Sequence, residues 1–299
     1  MDNLGLKRLL SKIPFLNGQK IIFPRLFSKK ISSVIIIDLS SNLKILQVDL
    51  KGTAKINAIK ISDLPVEKKE EFVLNSLRDF IKENNIEHKN AILSPTLKTF
   101  TIKRLQLPVV SEKEIIQAIK WIVKDELNFN IDSAVIDYQI LREVVKEDNS
   151  KVFDLICVIA EAEVIKKQIL FLKQLGFNCI AVNLLAFGYV KIIENFFSKA
   201  ANQAIGVLNL NNNDCYIAVY KENKLDFYRE LPVSIEKLKE ALAKEVITEN
   251  SGRIKLTNEE INEVLFKSGI PADSSADFNK IATGQILAML RQPLEKLAQ

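Results

Sequence analysis

The chain has 299 residues, of which 47% are apolar and 26% charged, and its formal net charge is +5. These values are typical of a globular protein long enough for two domains with cores of their own. The single histidine and three scattered cysteines offer little basis for a histidine-based triad or a zinc site, and no apolar run reaches the ~18 residues that a membrane-spanning helix needs.

Positive charge is concentrated at the N-terminus. Seven Lys and Arg residues against one Asp give residues 1–30 a net charge of +6, so the rest of the chain carries about −1. The globular part is therefore not a basic nucleic-acid binder. Lys7, Arg8 and Lys12 are interleaved with leucines, which predicts a basic amphipathic segment able to dock on an anionic membrane surface. The alternatives are a frayed tail and a helix packed on its own domain.

Two strands around a short turn are predicted next. An apolar strand ends at Asp38, the turn contains Ser40, Ser41 and Asn42, and a second strand covers residues 43–48. A further strand follows Gly52, and residues 67–85 have the apolar periodicity of a helix. Residues 91–95 form a buried strand and a boundary before the next unit.

Residues 99–160 have the pattern of a small α+β unit with one buried face. A strand with alternating polarity ends at Pro108, and Ser111 with Glu114 forms a capping box that begins a helix. Two more strands follow the helix, over residues 134–141 and 151–160. Trp121 lies off the apolar stripe of the helix, which favours packing at the rim, with contact to a partner as the alternative.

The pattern of strands then repeats. A helix with Gly176 as its C′ residue, a strand over residues 178–182 and a helix over residues 184–197 lead to a polar stretch that suits a domain boundary. A second strand–turn–strand, with Asn209, Asn211 and Asn213 at its turn, spans residues 205–220, and a third strand follows. Helices are predicted over residues 234–246, from Thr257 to about residue 269, and over residues 277–299.

The α+β unit resembles a known family. Its letters I-K-R-L-x-L-P-x-x-S-E-K-E-I-x-x-A-I-x-W, followed by D-Y-Q-I-L, are similar to the inserted subdomain of the PilM family of type IV pilus assembly, and FtsA has a related insertion called SHS2. The resemblance implies an α/β, actin-like (ribonuclease H-like) duplicated fold with an inserted α+β subdomain. The expected parts are a basic leader (1–33), domain 1 (34–98 and 161–203), the insertion (99–160) and domain 2 (204–299). The family's Gly-Gly adenine loop and closing helix have no counterpart, so we expect a truncated C-terminal part.

The same resemblance implies a nucleotide site. In the actin and sugar-kinase group, each strand–turn–strand holds phosphate, and an aspartate orients a magnesium-bound water. Asp38 is the expected metal residue, with Ser40, Ser41 and Asn42 in the first phosphate loop and Asn209, Asn211 and Asn213 in the second. Ser40 and Asn211 replace glycines and Asn209 replaces an aspartate, so ATP and Mg²⁺ should bind weakly or not at all and hydrolysis is not expected. Asparagine tolerates the left-handed conformation, so the second turn is expected to survive.

The resemblance also implies partners. It predicts a cytoplasmic scaffold, peripheral on the inner membrane, that captures the N-terminal cytoplasmic tail of a PilN-like single-span pilus protein in a groove or at a sheet edge. Leu105, Leu107 and Trp121 are the candidate contact residues. The alternatives are an actin-like ATPase and an FtsA-like division protein tethered to the membrane.

Overall fold

The fold is described from a computed structural model, which covers residues 31–40, 42–50, 55–65, 67–87, 89–196, 203–244, 246–248 and 252–268. Ser41, the leader with Lys7, Arg8 and Lys12, and the predicted helix over residues 277–299 lie outside these residues. By its internal contacts the chain divides into two compact units. One is Met1–Gly206 with Ala218–Tyr228, and the other is Val207–Ile217 with Arg229–Gln299.

The first unit contains a mixed five-stranded sheet. The strands are β1 (Ser33–Asp38), β2 (Leu43–Asp49), β3 (Lys55–Ser62), β4 (Asn90–Ser94) and β8 (Asn178–Val182), in the order β3-β2-β1-β4-β8. β1, β2 and β3 are antiparallel neighbours, whereas β4 runs parallel to β1 and to β8. The aliphatic run at the start of the sheet supplies fully buried side chains, and helix α1 (Lys69–Glu83) buries Val73, Leu77 and Phe80. The predicted first strand–turn–strand is confirmed.

The predicted insertion forms a sheet of its own. It consists of β5 (Phe100–Pro108), helix α2 (Glu112–Val123), β6 (Ala134–Val145) and β7 (Lys151–Glu161), with the antiparallel strand order β5-β7-β6. The amide and hydroxyl of Ser111 both donate to the Glu114 carboxylate, which confirms the capping box. α2 packs Ile115, Ile119 and Val123 into a core shared with the sheet.

The return to the five-stranded sheet follows the prediction. Helix α3 (Ala162–Lys173) precedes β8, and helix α4 (Leu185–Phe196) follows it. Gly176 has φ +77°, its amide donates to the Lys173 carbonyl, and the Phe177 amide donates to the Leu172 carbonyl. This is a Schellman motif with glycine at C′, as predicted.

A second strand–turn–strand is also confirmed. β9 (Ile205–Leu210), β10 (Cys215–Lys221) and β11 (Lys224–Leu231) form a sheet in the order β11-β10-β9. Glu222 and Asn223, between β10 and β11, have φ values of 51° and 55°. Two consecutive positive φ angles make the tight turn that matches the twist of a two-residue hairpin.

The end of the described chain differs from the prediction in one element. Helix α5 covers Ile235–Leu242, not residues 234–246, and a short hairpin of β12 (Val246–Thr248) and β13 (Gly252–Ile254) follows it. The β-branched residues Val246, Ile247 and Thr248 pair with β13, so the prediction of a continuous helix was wrong there. Helix α6 (Asn258–Glu263) starts at the predicted Thr257–Glu260 capping box and continues into a π-helical turn, Val264–Ser268.

The three cysteines are buried free thiols, as expected. Burial raises the pKa of Cys157 to about 12 and those of Cys179 and Cys215 to about 11, so these thiols stay protonated and unreactive. Within the described residues, no helix is both long enough and apolar enough to span a bilayer.

Candidate functional site

The first loop is the turn between β1 and β2, and it begins at Asp38. The Ser40 amide donates to Asp38 Oδ1 at 2.8 Å, and Lys44 Nζ donates to Asp38 Oδ2 at 3.1 Å. Asp38 and Lys44 are directly opposed residues of β1 and β2. Both oxygens of the predicted metal residue therefore accept hydrogen bonds from within the protein.

The rest of the first loop is also engaged internally. The Leu39 amide donates to the Ser94 carbonyl at 2.8 Å, and the Asn42 side-chain amide donates to Asp63 Oδ1 at 3.0 Å. Ser40 is only 3% exposed, and its hydroxyl has no hydrogen-bond partner among the residues that the structure describes. The serine side chain thus fills space inside the turn instead of leaving a bare backbone at its surface.

The second loop is the turn between β9 and β10. The Asn211 backbone amide donates to the Asp214 carbonyl at 2.8 Å, and its side-chain amide donates to Asp214 Oδ1 at 3.0 Å. Asn209 has a buried side-chain nitrogen with no hydrogen-bond partner in the described part of the chain, and Asn213 is exposed.

The second turn survives, but not by the expected conformation. None of the residues described between β9 and β10 has a positive φ. The asparagines of this turn were expected to adopt the left-handed conformation, and they do not. Hydrogen bonds to Asp214 hold the turn instead.

The N-terminus of α5 is closed by the second loop. The amides of Ile235 and Glu236 donate to the carbonyls of Asn211 and Asn212 at 2.9 and 3.0 Å, and the Lys237 amide donates to Ser234 Oγ at 3.2 Å. A helix N-terminus binds an anion through such amides. Here they already have protein acceptors.

In both loops, groups that a phosphate site would use have partners within the protein. A phosphate loop needs backbone amides that point outward and a carboxylate oxygen turned toward the metal-bound water. In the first loop the Leu39 and Ser40 amides have internal acceptors and Asp38 has an internal cation. In the second loop the Asn211 amide is likewise engaged.

The predicted partner-binding residues have two different environments. Leu107 is 1% exposed and lies in the core beneath α2, with Leu105 packed against the same core. Trp121 is 72% exposed, and Lys124 Nζ lies 4.2 Å from the centre of its ring. Trp121 therefore does not pack at the rim of the core, and it offers a large aromatic surface beside a positive charge.

A charged cluster on the other face of the inserted sheet was not predicted. Asp154 on β7 is 2% exposed and accepts a bidentate pair of hydrogen bonds from Arg104, at 2.8 and 2.6 Å, and a contact of 2.8 Å from Arg142. The hydrogen bonds from Arg104 hold the pKa of the Asp154 carboxyl below its usual value, although burial opposes this shift. One signal was available in the sequence, since Asp154 interrupts the otherwise apolar run of residues 152–160.

The same arginines reach the β10–β11 hairpin. Arg104 Nη1 donates to the Asp226 carbonyl at 3.1 Å, and Arg142 Nη1 donates to Asp226 Oδ1 at 3.2 Å. Lys224 on the hairpin donates to the Leu141 carbonyl at 3.0 Å. We refer to Arg104, Arg142, Asp154 and Asp226 as the arginine–aspartate cluster. It fixes the hairpin to the inserted subdomain.

Together, the two strand–turn–strand units and the inserted three-stranded subdomain define a protein with the actin-like fold. The family model for the type IV pilus assembly protein PilM matches residues 30–261, so the chain belongs to that family.

One solved structure supports the fold, and two others are less similar. The structure of a PilM–PilN type IV pilus biogenesis complex is similar with a TM-score of 0.63 at 14% identity, covering 90% of this chain and 75% of that one. MreB 5 of Spiroplasma citri bound to AMPPNP has a TM-score of 0.46 at 10% identity, covering 89% of this chain and 80% of that one. The cytoplasmic domain of EpsL, an inner-membrane component of the type II secretion system of Vibrio cholerae, has a TM-score of 0.45 at 10% identity, covering 86% and 95%. The comparison with curated protein sequences finds no match.

Proposed function

We propose that this protein is a cytoplasmic scaffold of the inner-membrane platform that assembles a type IV pilus. Its task is to hold the N-terminal cytoplasmic tail of a single-span, PilN-like pilus protein. Membership of the PilM family supports the setting, and the similar PilM–PilN complex supports the kind of partner.

The observation that carries the proposal is the open edge of β5. Among the described strands β5 pairs only with β7, so its other edge presents backbone amides and carbonyls to a partner. Leu107 is buried in the core and the partly buried Leu105 packs against it, so both side chains hold β5 in place. An extended tail would therefore bind by adding a strand, through its backbone, to the edge of β5.

Trp121 is the second expected contact. A tryptophan that is 72% exposed carries a large apolar surface, and such residues commonly dominate the energy of an interface. The nearby Lys124 would favour a tail that carries an acidic group or a C=O group beside its apolar anchor.

Calorimetry with synthetic tail peptides tests strand addition. The peptide is made unmodified and in two N-methylated forms, one with methyl groups on the odd amides and one on the even amides. Only alternate amides of an added strand face the sheet edge. One methylated form should lose about tenfold or more in affinity, equivalent to ~1.4 kcal/mol, while the other binds normally. Equal binding by both forms would contradict strand addition, and no binding of the unmodified peptide to folded protein would contradict the function.

The role of Trp121 is tested with a matched variant on the same helix. Trp121→Ala should weaken binding of the unmodified peptide about tenfold or more. Lys113→Ala, another exposed position of α2, should leave the affinity unchanged. Unchanged affinity in Trp121→Ala would show that Trp121 is not a contact. The β5 edge would then be the only part of the proposed interface that remains.

The scaffold is proposed to act without tightly bound nucleotide. The internally bonded loops support this, and we expect Mg²⁺–ATP to bind more weakly than about 100 μM, or about −5.5 kcal/mol. Calorimetry that shows micromolar binding of Mg²⁺–ATP would overturn this part of the proposal.

A further inference from the structure

One face of the five-stranded sheet is apolar and open along an edge strand. Among the described strands β3 pairs only with β2, so it forms an edge of the sheet. Ile56, Ile59 and Ile61 on β3 are 57%, 57% and 58% exposed. Their partners on β2 are every second residue from Lys44 to Val48, so the three isoleucines lie on one face. Exposed apolar side chains on an edge strand are typical of a surface that another segment covers.

The apolar surface continues across the sheet. Ile59 of β3 pairs with Leu46 of β2. Leu46 pairs in turn with Ile36 of β1, and Ile36 with Ile92 of β4, so four apolar side chains lie in one row over four strands. All four are at least partly exposed, whereas Ile35, on the opposite face of β1, is fully buried. We refer to six residues of this surface as the isoleucine face: Ile36, Leu46, Ile56, Ile59, Ile61 and Ile92.

The chain enters the sheet beside this face. Ser33, the first residue of β1, pairs with Asp49, and Asp49 pairs with Lys55, the first residue of β3. The residues that precede β1 therefore meet the sheet two strands away from β3, at the end where Ile56 lies. Neighbouring strands are about 4.8 Å apart and each residue advances about 3.3 Å, so Ile59 lies roughly 14 Å from Ser33.

The leader contains a segment that suits the isoleucine face. Residues 21–27 read Ile-Ile-Phe-Pro-Arg-Leu-Phe, which is mostly apolar, and the polar residues 28–30 connect them to the sheet. A chain spans up to about 3.3 Å per residue, so the steps from Ser33 back to Phe27 can cover about 20 Å. Residues 21–27 can therefore reach Ile59 and the rest of its row.

We propose that residues 21–27 pack across the isoleucine face of their own chain and cover it. Because the segment is tethered within reach, its effective concentration at the face is on the order of millimolar. A second copy of the chain at micromolar concentration competes poorly with it. The docked segment leaves Lys7, Arg8 and Lys12 available to an anionic membrane. The isoleucine face is a different surface from the β5 edge, so this inference does not depend on binding of the pilus tail.

Alkylation of a single introduced thiol measures how well the face is covered. Ile59→Cys places a thiol on the isoleucine face, and Lys60→Cys places one on the opposite face of the same strand. The three native thiols are buried and react slowly with iodoacetamide. Replacing Ile21, Ile22 and Phe23 together with Ser in the full chain should raise the alkylation rate of Ile59→Cys about tenfold, because a serine-rich segment no longer covers the face. The rate for Lys60→Cys should not change.

A second change in the leader is the matched control. Lys7→Gln, Arg8→Gln and Lys12→Gln together alter the same leader outside residues 21–27, so Ile59→Cys should react as it does with the natural leader. Circular dichroism checks that each variant is folded. If the serine-substituted leader leaves the alkylation rate of Ile59→Cys unchanged, the proposal is overturned.

Disulfide formation locates the segment on the sheet. Phe23→Cys is combined with Ile59→Cys or, as the control, with Lys60→Cys. Mild oxidation with diamide, which takes up the two electrons and two protons of the thiols, should link the first pair about tenfold faster than the second. The product should be a linked monomer by mass spectrometry.

Two outcomes would contradict this assignment. Equal rates for the two pairs would show that residues 21–27 are not held on the isoleucine face. A covalent dimer formed by Ile59→Cys alone would show that a second copy of the chain covers the face instead of the leader.

Discussion

At the scale of single residues, the most constrained group is the Asp154 carboxylate. It is 2% exposed and bonded to two arginines whose side chains are 35% and 46% exposed. A buried carboxylate of this kind is tolerated only while its partners remain. Breaking the arginine–aspartate cluster should therefore be costly, although apolar residues of similar volume could give the protein equal stability.

Replacing Asp154 with Asn should destabilise the protein by about 2 to 3 kcal/mol. The estimate is below the usual cost of breaking a buried pair because both arginines are partly exposed and screened by solvent. Urea denaturation followed by circular dichroism measures the change. Glu143→Gln, which breaks the exposed Glu143–Lys151 pair on the same hairpin of strands, should have a much smaller effect. Equal losses in the two variants would contradict the importance of the cluster.

Stability should also depend on pH through Asp154. Its pKa in the folded protein is lowered chiefly by the hydrogen bonds from Arg104, so its contribution is complete above the unfolded value of about 3.9 and is lost as pH falls through the folded value. The free energy of unfolding of the wild type should therefore fall below about pH 4 more steeply than that of Asp154→Asn. Parallel pH profiles of the two proteins would show that Asp154 has the same pKa in both states.

At the scale of elements, helix α2 and the sheet beneath it form the subdomain that presents the β5 edge. Ile119 lies on the buried face of α2 and is fully buried. Ile122, about one turn further along the same helix, is 39% exposed. Replacing either isoleucine with Ala removes the same atoms from the same helix. The two variants therefore differ only in how deeply the side chain is buried, which tests the packing of α2.

Ile119→Ala should destabilise the protein by about 2 to 4 kcal/mol, because it leaves a cavity in the core of the inserted subdomain. Ile122→Ala should cost less than about 1 kcal/mol, since much of its side chain is already in water. Denaturation midpoints at constant m-value measure both changes. A similar loss in the two variants would mean that α2 does not pack as described.

Sequence patterns predicted the elements that carry strong local signals. Three such signals each lie within a few residues and predict the local structure. They are the aliphatic run before Asp38, the Ser111–Glu114 capping box and Gly176 at a C′ position. The β12–β13 hairpin was missed because its strands have three residues each and follow a helical periodicity without a break.

The candidate site was harder to predict because its important contacts join distant parts of the chain. Asp38 and the two turns were found from their position after apolar strands, but the pairing with Lys44 required the register of β1 and β2. Arg104 and Asp226 are separated by 122 positions, and no local pattern joins them. Leu105 and Leu107 were candidate contacts implied by the resemblance, and alternation alone could not tell which side of β5 faces the core.

At the scale of the whole molecule, charge is divided between a basic leader and a nearly neutral remainder. Residues 1–30 have a net charge of +6 and the remaining residues about −1, which gives the total of +5. We propose that Lys7, Arg8 and Lys12 help to hold the protein on the anionic inner membrane, where each basic residue near the surface contributes about 1 kcal/mol.

Removing residues 1–30 should abolish binding to liposomes that contain anionic lipid, as measured by co-sedimentation. A full-length variant with Gln at positions 7, 8 and 12 should bind more weakly than the wild type, because it keeps the apolar residues and loses the charges. Neutral liposomes provide the control and should bind little of any form. Unchanged sedimentation of the shortened protein with anionic liposomes would exclude the leader as the anchor.

The attachment of the β10–β11 hairpin to the inserted subdomain has a consequence for genetics. Asp226 lies far along the chain from β5 and β6, yet Arg104 and Arg142 both contact it. In a mutational scan, a charge reversal at Asp226 should thus resemble a mutation in the inserted subdomain, which we propose binds the pilus tail, and not a mutation in the second strand–turn–strand. A double variant that reverses both Asp226 and Arg142 should be less impaired than the sum of the two single reversals predicts. Suppressor screens would therefore connect two segments that are distant in sequence.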